Sequence, residues 1–182
     1  MKRRVVWHDR ERLGAEHCSV AAEPGGFRLE GVVTTSTDGD PLLVEYVVRV
    51  DVSWRTRRAE VRVNGGGGKD TIILLADGYG GWWRDAQLLP DLQGCLDLDL
   101  GITPSTHTLP IRRLLLQPGQ TRRIEAASIL FPDLTVVRAE QAYERVDSHG
   151  YIFRTGRFES DLEVDDDGIV TRYAKWTAIA AR

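Results

Sequence analysis

Asp97 and Asp99 stand two positions apart, ahead of a hydroxyl- and imidazole-bearing run, Ser105-Thr106-His107, and two adjacent arginines, Arg112 and Arg113. On an extended chain, residues i and i+2 lie roughly 7 Å apart, from a rise of about 3.3 Å per residue. Like charges that close raise each other's pKa unless a cation is near, and the two arginines are the nearest candidates. Three chemistries fit these residue types. A carboxylate pair is the equipment of glycoside hydrolysis. An ion-pair network of both aspartates with both arginines would pin a polar loop to a sheet. A rim of hydroxyl, amide and guanidinium groups would take the polar headgroup of an amphiphile. The arginines favour ionised carboxylates, which is wrong for a general acid and weighs against the first.

Other catalytic and metal patterns are weaker. Ser105, Thr106 and His107 are consecutive, so their side chains diverge, and no Gly-x-Ser-x-Gly elbow is present. His8, His17, His107 and His149 show no ligand spacing. Glu163 to Gly168 resembles part of a calcium loop, but it lacks Asp at the first position and has Ala174 where the bidentate Glu belongs. The run Gly65-Gly66-Gly67-Gly68-Lys69 suggests a phosphate loop and fails: Asp70 replaces the required Ser or Thr, and a strand pattern follows instead of a helix. It reads as a hairpin tip.

The elements that must position the Asp97–Arg113 segment are strands. Leu96, Leu98 and Leu100 alternate with the two aspartates between Gly94 and Gly101. Pro104 and Pro110 hold the chain extended before themselves, so no helix is expected across 103–110; Ile111, Leu114 and Leu115 allow one short turn after Pro110. Leu42 to Trp54 reads as the longest strand, with Val44, Tyr46, Val48, Val50, Val52 and Trp54 on one face. Thirteen residues would span roughly 40 Å, a length found in curved sheets and barrels. Further strands are expected near residues 5–7, 15–22, 27–35, 58–63, 70–76, 121–131, 134–146, 158–165 and 169–176, with turns at Pro24-Gly25-Gly26, Thr37 to Pro41 and Asp165 to Gly168. Trp82 and Trp83 are adjacent, so on a strand they point to opposite sides: one packs in the core while the other either lines a groove or stays partly exposed. The expected fold is all-β: a single domain over residues 1–182, a long-stranded, strongly curved antiparallel sheet forming a barrel or half-barrel with little helix.

The run Gly94-Cys-Leu-Asp-Leu-Asp-Leu-Gly-Ile-Thr-Pro-Ser-Thr-His-Thr-Leu-Pro-Ile-Arg-Arg-Leu114 resembles the signature of a bacterial glycolipid-binding family, formerly of unknown function. Trp7 with Gly14-Ala15-Glu16, Gly78-Tyr79-Gly80-Gly81-Trp82, Phe131-Pro132, Glu140 to Arg145 and Asp167 to Val170 resemble flanking pieces of that pattern in the expected order. His107 stands where the family more often carries Asn. The resemblance implies a fold similar to lipid and lipoprotein carriers.

Composition narrows the classes. The formal charge of −3 argues against a nucleic-acid surface. No stretch reaches about 20 apolar residues, so no integral membrane association is expected. Met1-Lys2-Arg3-Arg4 is not followed by a signal-like apolar run, and Cys18 and Cys95 are isolated, so free buried thiols and a cytoplasmic location are expected. Together these readings point to non-catalytic binding of a lipid or glycolipid, with the acyl chain in the concavity and the headgroup near Asp97–Arg113. A hydrolase acting on a sugar-containing substrate through Asp97 and Asp99 is the alternative. The residues expected to meet the ligand are Asp97, Asp99, Thr106, His107, Arg112, Arg113, Trp83, Gln141 and Tyr143, with no catalytic residue, metal or cofactor assigned.

Overall fold

The computed structural model describes residues 2–11, 14–37, 39–65 and 68–182. The strands are β1 (Lys2–Asp9), β2 (Ala15–Glu23), β3 (Gly26–Thr37), β4 (Asp40–Asp51), β5 (Thr56–Gly65), β6 (Gly68–Ala76), β7 (Trp82–Arg84), β8 (Gln87–Leu88), β9 (Asp97–Leu100), β10 (Thr121–Ile129), β11 (Val136–Arg145), β12 (Gly150–Thr155), β13 (Phe158–Val164), β14 (Val170–Tyr173) and β15 (Trp176–Ala181). One helix, α1 (Thr108–Leu114), follows a 3-10 turn at Ser105–His107. It is far too short to cross a membrane, and no other helix among the described residues is long and apolar enough to do so.

All fifteen strands form one curved sheet in the order β8-β7-β6-β5-β4-β3-β2-β1-β15-β14-β13-β12-β11-β10-β9. The pairing is antiparallel throughout except between β9 and β10. The sheet is not closed by a ladder. Its two edges, β8 and β9, are consecutive in sequence, and residues 89–96 bridge the gap. Leu89 N donates to Trp82 O at 2.8 Å, Gly94 N to Gly80 O at 2.9 Å and Thr56 N to Leu96 O at 3.0 Å. The Trp82 indole donates to Cys95 O at 2.8 Å. Gly80 and Gly94 approach so closely that a Cβ on Gly80 would meet Gly94 Cα at 2.7 Å.

Alternation explains the inward face. On β4, Leu42, Val44, Tyr46, Val48 and Val50 are buried, and the residues between them point outward. The strand ends at Asp51, short of Trp54. Asp51 Oδ1 accepts from Ser53 N at 2.9 Å and Arg55 N at 3.0 Å, an Asx turn that stops the ladder. Val52 is consequently 72 % exposed. Trp54 turns back at φ 63° to stack on Phe27 at 4.3 Å. Three strands escaped the sequence reading: the two-residue β8, β12 and β15. β12 is short and polar-tipped. β15 carries small residues after the Ala174 turn at φ 47°, and its pairing with β1 joins the two ends of the chain. Gly66 and Gly67 of the hairpin tip, and Asp38 of the Thr37–Pro41 turn, lie outside the described residues.

A parallel pair needs a crossover. After β9 the chain turns and runs back through the concavity as the 3-10 turn and α1, then leaves past Leu115 into β10. Thr103 and Ser105 touch Glu16 and Tyr46 on β2 and β4. His107 touches Tyr143, Phe153 and Tyr173 on β11, β12 and β14. Contacts to both walls place residues 103–111 inside the curve, where every one of them is buried. This corrects two expectations. A helix does cross the proline-containing link: Pro110 is the third residue of α1, and the first four N–H groups of a helix have no intrahelical partner to lose. The middle of the concavity is occupied by the chain itself, with Leu98, Leu100 and Leu109 fully enclosed and Ile111 nearly so.

Tyr46 reaches the crossover because its directly paired neighbour on β3 is Gly31, over which the ring lies. A Cβ at Gly31 would sit 2.4 Å from the Tyr46 hydroxyl oxygen. Gly31→Ala is therefore expected to cost about 1–3 kcal/mol, a Tm loss of roughly 3–10 °C for a domain of this size, measured by thermal unfolding followed by circular dichroism.

Candidate functional site

The buried crossover brings three carboxylates under the sheet, each hydrogen-bonded differently. Asp97 is paired with Arg113. The guanidinium Nε donates to Oδ1 at 3.0 Å and Nη2 donates to Oδ2, a two-point clamp from the last turn of α1. Both carboxylate oxygens are thereby used. Burial pushes the Asp97 pKa up, and Arg113 opposes it by hydrogen bonding and charge. Arg112 takes no part. Successive helical residues point about 100° apart, and Arg112 lies 5.2 Å over the Trp54 ring, beside Gly168, away from Asp97. Of the expected four-member network, one aspartate and one arginine pair.

Asp99, on the same face of β9 as Asp97, has no cation. Its Oδ2 accepts from Ser128 Oγ at 2.9 Å and Gln141 Nε2 at 3.0 Å. Desolvation raises its pKa, and these two bonds offset part of the shift. A chain of groups leads into it: His107 Nδ1 lies 2.7 Å from the Tyr143 hydroxyl, which donates to Gln141 Oε1 at 3.4 Å. With His107 donating from Nδ1, every donor in the chain points toward Asp99; this tautomer is assigned from the network. Burial lowers the His107 pKa to about 3, so the imidazole is neutral. Asp99 retains some accessible surface, as do Val137, Ala139, Thr155 and Tyr173 around it, and Phe158 is 45 % exposed. Val137 and Ala139 pair with Ser128 and Ala126, and Thr155 pairs with Gln141, so all share the face of Asp99. Tyr173 and Phe158, 6.2 Å apart, continue the aromatic contact from His107 to the rim. Asp99 thus lies on one partly exposed face at the edge of the sheet, together with the rings of Tyr173 and Phe158. Gln141 and Thr155 also border an open outer depression of about 350 Å³.

Glu16 is the third carboxylate, and the sequence reading gave it no chemistry. It is 1 % exposed and closes a ring with three hydroxyls. Tyr46 contacts Oε1, Thr103 Oγ1 lies 2.5 Å from Oε2, Thr103 and Ser105 are 2.9 Å apart, and Ser105 is 2.8 Å from Tyr46. Three hydroxyl protons cannot serve four contacts. A neutral Glu16 supplies the fourth, so each hydroxyl donates once and accepts once around the ring while one carboxyl oxygen donates and the other accepts. Burial accordingly raises its pKa to about 7. The one available signal was parity: Glu16 shares its inward face with Cys18 and Val20, an acid in an apolar stripe. Both cysteines are free and buried, with pKa values pushed up by burial, so neither is a ready nucleophile.

The structure thus gathers Asp97, Asp99, His107, Arg113, Gln141 and Tyr143. Thr106 accepts from Leu100 N at 3.2 Å and serves the turn. Trp83 is half-buried on the outer face of β7, across the sheet, while Trp82 is fully buried. Since Arg113 occupies both oxygens of Asp97, Asp99 is the one carboxylate of the pair with an oxygen left open, short of the pair that glycosidic hydrolysis uses.

The family model described as "Putative glycolipid-binding" matches residues 4–178. Among solved structures, a DUF1089-family protein of Pseudomonas aeruginosa is 34% identical, with a TM-score of 0.81, and the match covers 88% of this chain and 89% of that one. A β-barrel-like protein of the DUF1849 family from Brucella abortus, 9% identical with a TM-score of 0.52 over 98% of this chain and 97% of that one, is alike in fold alone. No curated protein matches.

Two of the perturbed groups around the crossover, Glu16 and His107, act oppositely on stability. Glu16, raised from 4.5 to about 7, contributes stability that is fully present below pH 4.5 and lost as pH rises to 7. His107, lowered from 6.5 to about 3, contributes stability present above pH 6.5 and lost as pH falls to 3. Between pH 4.5 and 6.5 the slopes offset each other. Glu16→Gln, which keeps a donor and an acceptor in the ring, leaves the His107 slope, so urea-unfolding free energy should fall on acidification through this window. His107→Gln should leave the Glu16 slope, falling instead as pH rises.

Proposed function

On the premise that the chain belongs to the glycolipid-binding family whose model it matches, we propose that it binds a glycolipid by the headgroup, at the Asp99 face. The observation that carries this reading is the free acceptor on that face. Asp99 Oδ2 holds two donors, and no group among the described residues donates to Oδ1. An acceptor with one oxygen satisfied and one open, on a face shared with two aromatic rings, suits a polyhydroxylated ring. The acyl chain leaves along Phe158 and Val137 at the mouth, because the crossover fills the concavity behind. Each methylene shielded there is worth about 0.8 kcal/mol at most, so a partly covered chain adds affinity without a deep tunnel, less the costs of association.

Isothermal titration with dodecyl maltoside below its micellar concentration tests the reading. One molecule should bind with a Kd at or below roughly 100 µM, and Asp99→Ala should weaken it at least tenfold. Hydrogen exchange of residues 103–111 should stay as slow with ligand as without it. No binding at high micromolar amphiphile contradicts the proposal.

A further inference from the structure

We infer that the outer face of the sheet carries a second, open saccharide site, built from the Trp83 ring and the free oxygen of Asp77. It lies across the sheet from Asp99 and takes a sugar ring without an alkyl chain, so it goes beyond the headgroup reading and does not depend on it. The outward positions of β6, β7 and β8 are apolar. Ile73 and Leu75 alternate with the buried Ile72 and Leu74, Leu75 pairs directly with Trp83, and Trp83 pairs with Leu88. Leu75 is 45 % and Leu88 52 % exposed. These side chains fall far short of the roughly 20–30 residues a side that a stable protein interface uses, so the face fits a small ligand rather than a protein partner.

Trp83 lies along its strand over a glycine. A Cβ on Gly81 would meet Trp83 Cη2 at 2.5 Å and Asp77 Oδ2 at 2.7 Å. The ring therefore rests on bare backbone, with a carboxylate oxygen beside its edge. Among the described residues no other ring and no guanidinium stacks on it. The indole N–H groups of Trp7 and Trp82 donate to Val170 O at 2.7 Å and Cys95 O at 2.8 Å, whereas that of Trp83 has no acceptor among the described residues. Asp77 Oδ1 accepts from Tyr79 N at 2.7 Å and Gly81 N at 2.9 Å, which leaves Oδ2 open. Those two bonds, helped by the Arg57 charge, hold the carboxyl below its usual range, so it is an ionised acceptor. An apolar ring with a donor on its own edge and an open acceptor beside it matches the C–H face and hydroxyl rim of a pyranose. The charged groups around the face carry both signs and are paired: Arg58 with Glu60, Arg84 with Asp85, Arg57 with Asp51. A neutral ring that binds through hydroxyls and stacking disturbs none of these pairs.

Maltotriose, cellotriose and mannotriose, titrated separately and followed through the indole N–H resonances, test the site; Trp83→Phe assigns the Trp83 signal. At least one sugar should move that signal, with a Kd of about 1 mM or tighter. Trp83→Ala should weaken its binding at least tenfold. Asp77→Asn, which keeps an oxygen for the two backbone N–H groups and puts an amide at the open position, should weaken it at least threefold; this variant keeps the test valid if Trp83→Ala fails to fold. A sugar that binds equally well to Trp83→Ala and leaves the Trp83 signal still sits elsewhere, which overturns the outer site and leaves the headgroup reading standing. Phosphatidylglycerol vesicles that move the signal where no sugar does would make this a membrane-facing surface and overturn the site as well. If no sugar moves it, the outer site falls, whereas the headgroup reading falls only when the amphiphile fails to bind.

Discussion

A polar crossover buried inside a sheet's concave face is the constraint that everything else answers to. Parallel β9 and β10 require a connection that runs back along the sheet. Here it passes inward, so its hydroxyls, carboxylates and backbone groups are cut off from water and must find partners in the protein. The residue types from Asp97 to Arg113 follow from that demand. One carboxylate meets a guanidinium, one meets an amide and a hydroxyl, and three hydroxyls close a ring with a glutamic acid from β2. Gly31 exists so that Tyr46 can lie flat and reach the crossover.

This arrangement moves the binding chemistry of the concave side from the middle of the curve to its mouth. Enclosed side chains fill the space that a simple carrier would leave for an acyl chain, and the polar network reaches solvent near Asp99 and along Arg113. The same network fixes the partners of both aspartates: Arg113 is held by Asp97, while Asp99 is held by the neutral donors Ser128 and Gln141.

The legible parts of the sequence were those governed by short-range periodicity. Alternation identified most of the strands and the shared face of Asp97 and Asp99, and the adjacency of Trp82 and Trp83 correctly implied opposite faces. Arg113 was rightly matched to an aspartate. Arg112 was not, because one residue along a helix turns a side chain about 100°, and no helix was expected between two prolines. Both prolines sit where a helix start tolerates them, a fact that depends on where the helix begins. Glu16 was hidden for a different reason. Its partners lie 30 and 87 positions away in sequence, and only the assembled sheet brings them together. The long β4 was overextended because Asp51 terminates it through its own side chain, which apolar alternation does not register.

The account turns on a filled concavity with its recognition chemistry at the rim. A crystal structure of the protein with octyl β-glucoside tests that most directly. It should show the sugar hydroxyls on Asp99 Oδ1, the alkyl chain against Phe158, and residues 103–111 in their buried course. Alkyl density running down the middle of the sheet, with that segment displaced and the Glu16 ring broken, would contradict it.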